Sequence, residues 1–475
     1  MPGKLENVET TADSNMAALP SSGAGWLHRG LLSSVRHWPL ARSLWVHSGL
    51  KRRTQDTRFA RMANAWHDVA EFADPAGYQP VPGRVLILPP DPREVIASLG
   101  DLGMFLAIRD HHFRDGASAD MTIMSNSPRG AARAAARNWS TITPGATLGD
   151  TVERLLHLRP EYVYLVGADV LDGVLDPVFS AFLLMTADLL RRAGVKTRVT
   201  GFSLARNAYP GLAEVFRSLN GADCLCVRDP VSHDRLSELM GEAPRLVADL
   251  AFLVQPAPTV RTRNAAAWMA QHRQQGRKVV GLNLSPLNAD LTPAEVRDSL
   301  IPRTRQLAEQ LVRDGDVAVL LLPHDFRALC SDQLVLEPVM AGLSDAARSH
   351  VGHITAELDP TEVKEIVGQL DLVVTARMHL AIATLGACTP ALVIGSDAKL
   401  SGLLDHFRLP AETRISVEEF LTSSALVDRV RRGLAATDEA RAQIATRLPA
   451  ILDLSRANLI PEDEAETVTM ALQAN

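Results

Sequence analysis

The chain is short of cysteine, with four in 475 residues, and none forms a CxxC pair. Cys224 and Cys226 alternate along one strand-like run, and Cys330 and Cys388 stand alone. Metal-ligand spacing of the zinc-site kind is therefore missing, and reduced core thiols of a cytosolic protein are the expectation. No apolar run approaches the ~20 residues that a membrane span requires. The first 25 residues have no apolar stretch of the signal-peptide kind, which predicts a cytoplasmic chain. Excess positive charge is lacking too. The net charge is −6 and the pI near 6.2, whereas a nucleic-acid partner calls for a basic face.

One local absence stands out. Residues 26–55, WLHRGLLSSVRHWPLARSLWVHSGLKRRTQ, contain no Asp or Glu but carry six Lys or Arg residues with Trp26, Trp38 and Trp45. Basic residues interleaved with Trp and Leu suit peripheral contact with an anionic membrane surface, and Pro39 breaks any single helix there. The polar, Ala- and Ser-rich stretch before it reads as disordered. Residues 1–80 are thus expected to be a disordered, basic amphipathic arm.

What remains has 46% hydrophobic and 22% charged residues, as in a globular protein, and a length that implies two domains. From residue 84, buried-type strands alternate with helical spacing: RVLILPP (84–90), MTIMS (121–125), YVYLVGADV (162–170), KTRVTGFSL (196–204), CLCVRD (224–229) and RLVADLAF (245–252). After the proline-bearing QPAPTV the alternation resumes with VVGLNLSP (279–286), VAVLLLPHD (317–325), VGHITAE (351–357), DLVVTA (371–376) and PALVIG (390–395). Continuous apolar strands separated by helices indicate α/β architecture with two Rossmann-like parallel sheets. The expected boundaries are 81–256 and 276–415 for the two domains, 257–275 for a linker and 416–475 for C-terminal helices.

The polar residues that follow each strand carry the functional signal. Asp101, Asp169, Asp172, Ser203, Arg228, Asp229, Ser232 and Asp249 do so in the first half. Asn283, Ser285, His324, Asp325, Arg377, His379, Asp397 and Lys399 do so in the second. In open parallel sheets that edge lines the ligand crevice, and helix N-termini there favour anions. Asp, Ser and Asn also cap helices at such places, so Ser232, Ser285 and Asp397 suit capping equally well. A cation there opposes the helix dipole, which makes an anionic ligand the better reason for Arg228, Arg377, His324 and His379. His379 is titratable near neutral pH.

Five motifs follow one another in order: CVRDPVSHDRL (226–236), VADLAFLVQP (247–256), LLLPHD (320–325), the RMH of VVTARMHL (373–380), and TPALVIGSDAK (389–399). Together with SLGDLGMFLAI (98–108), this series resembles the polysaccharide pyruvyl transferase family over roughly residues 84–410. It departs from many relatives at LVGADVLDG (165–173), where one glycine and two aspartates stand in place of consecutive glycines. The resemblance implies a GT-B-like fold, two domains facing a central cleft. It also implies transfer of pyruvyl from phosphoenolpyruvate to a saccharide acceptor that is polymeric or lipid-linked, and it requires no cofactor or metal. Arg228, His324, Arg377 and His379 match its motif positions, as does Lys399. A donor carrying carboxylate and phosphate needs fixed cations, for which Arg228, Arg377 and Lys399 are candidates. Asn283, Asp101 and Ser232 are further substrate-binding candidates. His324 and His379 can serve as acid and phosphate-side donor, and Asp249 or Asp229 as the base. A nucleotide-sugar glycosyltransferase of the same fold, or a non-catalytic glycan-pathway scaffold, remains an alternative.

Overall fold

The computed structural model describes residues 50–71, 75–96, 98–113, 120–286, 291–327, 330–395 and 398–461. Two parallel sheets organise them. The first is built from β1 (Val85–Leu88), β2 (Met121–Met124), β3 (Ser140–Ile142), β4 (Tyr162–Leu165), β5 (Lys196–Phe202), β6 (Leu225–Val227) and β7 (Arg245–Leu246), in the order β3-β2-β1-β4-β5-β6-β7. The second holds β8 (Lys278–Asn283), β9 (Val317–Leu321), β10 (Val351–His353), β11 (Leu372–Thr375), β12 (Ala391–Ile394) and β13 (Arg414–Ile415), in the order β10-β9-β8-β11-β12-β13. The strand order reverses between β1 and β4 in the first sheet and between β8 and β11 in the second. Each reversal opens a crevice at the strands' carboxyl ends. The inner strands are buried on both faces, as in β4 and β11, which is why they read as unbroken apolar runs.

The two lobes share a core. One buried cluster runs from Val85, Phe105 and Tyr164 through Phe252 to Val373, Leu380, Phe407 and Ile451. The other two clusters fill the outer side of each sheet. Polar contacts add to the apolar join. Lys364 Nζ, buried on the second lobe, donates to the carbonyls of Phe252 and Val254 at 2.8 and 2.7 Å, and burial lowers its pKa to about 8. Arg137 pairs with Asp359 at 2.7 Å. The C-terminal helix Thr437–Arg456 belongs in sequence to the second lobe but returns to the first. Ser455 donates to the Asp249 carbonyl at 2.7 Å, and Asn458 bridges the Gly201 amide and the Ala248 carbonyl.

Several sequence expectations need correction. RLVADLAF is a strand only at Arg245–Leu246, because Asp249 then caps a 3-10 turn, Leu250–Leu253, by accepting from the Ala251 amide. The stretch expected as linker contains the helix Val260–Gln274, started by a capping box at Thr259. The short edge strands β3 and β13 were not foreseen, since STI and RI carry no apolar run. Part of the expected arm is ordered. The helix Leu50–Ala70 docks on the first lobe through Trp66, whose Nε1 donates to buried Asp188 at 3.0 Å, and through Phe59, Met62 and Ala63. Residues 1–49 and 462–475 lie outside the described residues.

Candidate active site

Arg228 follows β6 and is buried at 4% exposure. Its guanidinium donates to Ser203 Oγ at 2.9 Å, Asp249 Oδ2 at 2.9 Å and Asp169 Oδ1 at 2.6 Å. Asp249 is equally buried, but Asp169 is about half exposed. Across the cleft, the ring of His379, second residue of the helix Met378–Gly386, brings Nε2 to 3.5 Å from the same Asp249 Oδ2. That is an ion-pair distance for a protonated ring rather than a hydrogen bond, and Nε2 has no hydrogen-bond partner. Burial pushes the Asp249 carboxyl up, yet His379, Arg228 and the Ala251 amide more than reverse this, so it stays well below the usual carboxylate range.

His379 sits there because of a glycine. The helix Leu99–His112 opens with Leu99-Gly100-Asp101, and a β-carbon on Gly100 would overlap the His379 imidazole. The first lobe thus presents bare backbone to a ring from the second. Asp101, next in sequence, is buried at 8% exposure and has no hydrogen-bond partner among the described residues. Burial raises its carboxyl to about 6, against the pull of His379 and Arg327.

His324 follows β9 and lines the same chamber as His379, Gly100 and Lys364. It is 5% exposed, and neither ring nitrogen has a hydrogen-bond partner. Burial, then the charges of His379 and Arg377, hold its pKa well below the ordinary histidine value, so the ring is neutral. Arg377 takes another direction. Its Nε donates to Asp332 Oδ1 at 2.9 Å and its Nη2 to the Cys330 carbonyl at 2.5 Å, and Nη1 lies 3.2 Å from Asp325 Oδ2. The guanidinium is therefore turned into its own lobe, behind His324.

Asp332, fully buried, organises this half of the site. Its Oδ2 accepts from the His324 amide, the Asp325 amide and Asn283 Nδ2 at 2.8, 3.2 and 2.8 Å, while Oδ1 faces Arg377. Asn283 is fully buried and supports this knot, bonding also to the Leu322 carbonyl and Thr375. Arg327 grips Asp325 at 2.6 Å, and Asp325 forms a bridge with Ser98 just before Gly100. Asp332 and Arg327 were not foreseen. Asp332 stands where a helix cap would, before Gln333–Ala341, but its side chain does not cap that helix.

Asp229 and Ser232 have other employment. Asp229 Oδ1 caps the helix Pro230–Met240 through the Ser232 amide at 2.8 Å, and its Oδ2 accepts from Ser203 and Ser232 hydroxyls at 2.9 and 2.7 Å. The Asp229 side chain is packed against Gly402 of the other lobe. All three of these donors belong to the first lobe itself, so the carboxylate is engaged in local structure. Lys399 lies in the helix Ala398–Phe407, but its side chain, like Asp397, is outside the described residues. Of the expected set, Arg228, Asp249, Asp101, His324 and His379 meet between the lobes, with Asn283 and Arg377 behind them. Among the described residues no group of three or more His, Cys, Asp or Glu is placed to hold a metal ion. No helix among them is long and apolar enough to cross a membrane.

Two facing Rossmann-like sheets, a shared cleft at their carboxyl edges and a C-terminal helix returning to the first lobe define a GT-B-like architecture. Within that class, the chain belongs to the polysaccharide pyruvyl transferase family, whose profile matches residues 131–398, more than half of its length. Solved structures to which the chain is similar include ADP-heptose lipopolysaccharide heptosyltransferase II of E. coli (12% identity, TM-score 0.40, covering 75% of this chain and 99% of that one). Anabaena HepE in complex with UDP and glucose matches at 11% identity and TM-score 0.46, covering 82% and 100%. UDP-GlcNAc 2-epimerase of Neisseria meningitidis, bound to UDP-GlcNAc, matches at 11% identity and TM-score 0.45, covering 82% and 100%. At such identities nothing about ligands passes from them to this chain.

Proposed function

We propose that the chain transfers the pyruvyl group of phosphoenolpyruvate to two hydroxyls of a saccharide carried on a polymer or a lipid, forming a pyruvate ketal and releasing inorganic phosphate. The observation that carries the reading is the meeting of Arg228 from one lobe and His379 from the other on a single carboxylate, Asp249. It sets a cation and a proton-transfer group side by side where the two crevices face each other.

In the proposed reaction a proton adds to the methylene carbon, leaving an oxocarbenium-like centre at the carbon that bears the phosphate. One sugar hydroxyl attacks that carbon, the bond to the phosphate oxygen breaks, and a second hydroxyl closes the ring. Of the two hydroxyl protons, one balances the new methyl group and the other leaves with phosphate. In this reading His379 moves the protons, supported by its position 3.5 Å from Asp249. His324, neutral and unpartnered, offers an N–H to the departing phosphate. Asp169 is the half-exposed partner of Arg228, so an incoming carboxylate or phosphate replaces it at Nη2 with least disturbance.

The test is incubation with isotopically labelled phosphoenolpyruvate and a panel of lipid-linked and soluble saccharides, read by mass spectrometry for the added pyruvate unit and by phosphate release. Label in the saccharide with one phosphate per ketal is expected. Thermal stabilisation by uridine or guanosine nucleotides but not by phosphoenolpyruvate would favour a nucleotide-sugar transferase and overturn the reading.

A further inference from the structure

The helix Leu50–Ala70 has one face fixed to the first lobe. Trp66 is tied to Asp188, Tyr209 donates to Asp56 at 2.8 Å, and the Phe59 and Tyr209 rings lie 5.0 Å apart. Away from that face Arg53, Arg58 and Arg61 are exposed, and their side chains make no hydrogen bond or ion pair among the described residues. The first turn holds no acidic residue. Three cations without a protein partner on the outward side of one docked helix fit an external anionic partner.

A second feature stands beside this one. Val174 and Leu175, 43% and 71% exposed, form an apolar tip ahead of the helix Pro177–Arg192. The tip is anchored at Gly173, where a β-carbon would come within 2.6 Å of Tyr209, the residue that also holds the arginine-bearing helix. The apolar tip and the arginine-bearing helix therefore adjoin each other at Tyr209. The tip also closes the loop that begins at Asp169, the partner of Arg228.

We infer that this side of the first lobe is a docking face for an anionic phospholipid bilayer, with Leu175 and Val174 entering the acyl boundary and the arginines meeting headgroup phosphates. The inference rests on the transferase reading only in that such docking would bring a lipid-linked acceptor to the Asp169 edge of the cleft. A bilayer suits the face better than nucleic acid. The tip is aliphatic and offers no ring for base stacking, and the chain's net charge is negative.

The experiment is sedimentation of the full chain with vesicles of phosphatidylcholine alone and with phosphatidylglycerol added, at low and high salt. Salt-sensitive binding to the anionic vesicles only is expected. Arg58→Ala with Arg61→Ala should weaken binding about 25-fold, at roughly fivefold per arginine near such a surface. Leu175→Asp should weaken it about tenfold or more. The inference is overturned by equal binding to both vesicles, by variants that bind like the parent, or by salt-sensitive binding to single-stranded RNA without binding to vesicles. Transfer to a short soluble acceptor, measured in parallel, separates the two questions. Absence of transfer to both lipid-linked and soluble acceptors in every form would defeat the transferase reading and leave the vesicle result standing.

Discussion

Arg228 and Arg377 occupy equivalent places in sequence, each just past a buried strand and just before a helix, and the structure gives them different tasks. Arg228 holds Asp249 and Asp169 at the cleft, and through Asp249 it is linked to the opposite lobe. Arg377 holds Asp332 and the Cys330 carbonyl within its own lobe and has 12% of its side chain exposed. One guanidinium holds the carboxylate that meets the other lobe and has a second, half-exposed partner. The other fastens the loop that carries His324. A cation after a strand's carboxyl end can thus serve the ligand or the loop that serves the ligand, and its counter-ion's exposure decides between them.

The sharpest way to break this contrast is to remove each arginine. Arg377→Ala leaves Asp332 fully buried with its charge uncompensated, which should cost about 3–5 kcal/mol of stability. A melting temperature lowered by several degrees, together with lost turnover, checks this. Arg228→Ala leaves Asp249 still facing His379 and Asp169 still reaching solvent, so its stability loss should be smaller while transfer falls as far. Equal melting temperatures for the two variants would erase the distinction. His379→Ala and His324→Ala come next. Each should lower kcat about 10²–10⁴-fold while the far-ultraviolet circular dichroism is unchanged. Near-wild-type turnover in both would remove the histidines from the chemistry.

The sequence displayed the two sheets and most of the polar cleft because buried parallel strands are apolar runs and each run ends in a loop at the same edge. It could not show which side chain a loop residue faces. Asp229 and Asp249 both follow strands of the first lobe. One is consumed by capping and two hydroxyls, and the other by Arg228 and His379. Asp332 escaped notice because its position mimics a cap. Gly100 was visible within SLGD, but its purpose appears only when a ring from 279 residues further along the chain lies on it. Short edge strands and the docked helix Leu50–Ala70 depend on tertiary contacts that have no local period.

Gly100→Ala tests the contact between lobes with a single methyl group. The added carbon must displace the His379 ring, and a displacement of about 1 Å at a reacting group costs on the order of 10²-fold in kcat. KM for the donor should change less, because Arg228 is untouched. A loss confined to KM would show that the ring binds rather than moves protons.

The smallest effect concerns Asp101, and its sign can be worked out. Burial raises the folded-state carboxyl to about 6, against an unfolded value near 4, so between those pH values the native chain holds more protons than the unfolded one. Stability from this group is present at low pH and falls as pH rises from about 4 to 6, by roughly 2–3 kcal/mol. His324 acts in the opposite sense. Its folded-state value is depressed, so its contribution is lost as pH falls below about 6.5. The two slopes oppose each other over the same window. Asp101→Asn removes one of them, and the melting temperature of the variant should therefore rise more steeply between pH 4 and 6.5 than that of the parent. Ionisation of Asp101 also adds a negative charge beside an anionic donor. KM for phosphoenolpyruvate should climb about three- to tenfold as pH passes upward through 6 in the parent, and this rise should be absent in Asp101→Asn. A variant that kept both the shallow melting profile and the rise in KM would place the titrating carboxyl elsewhere than at the start of the helix Leu99–His112.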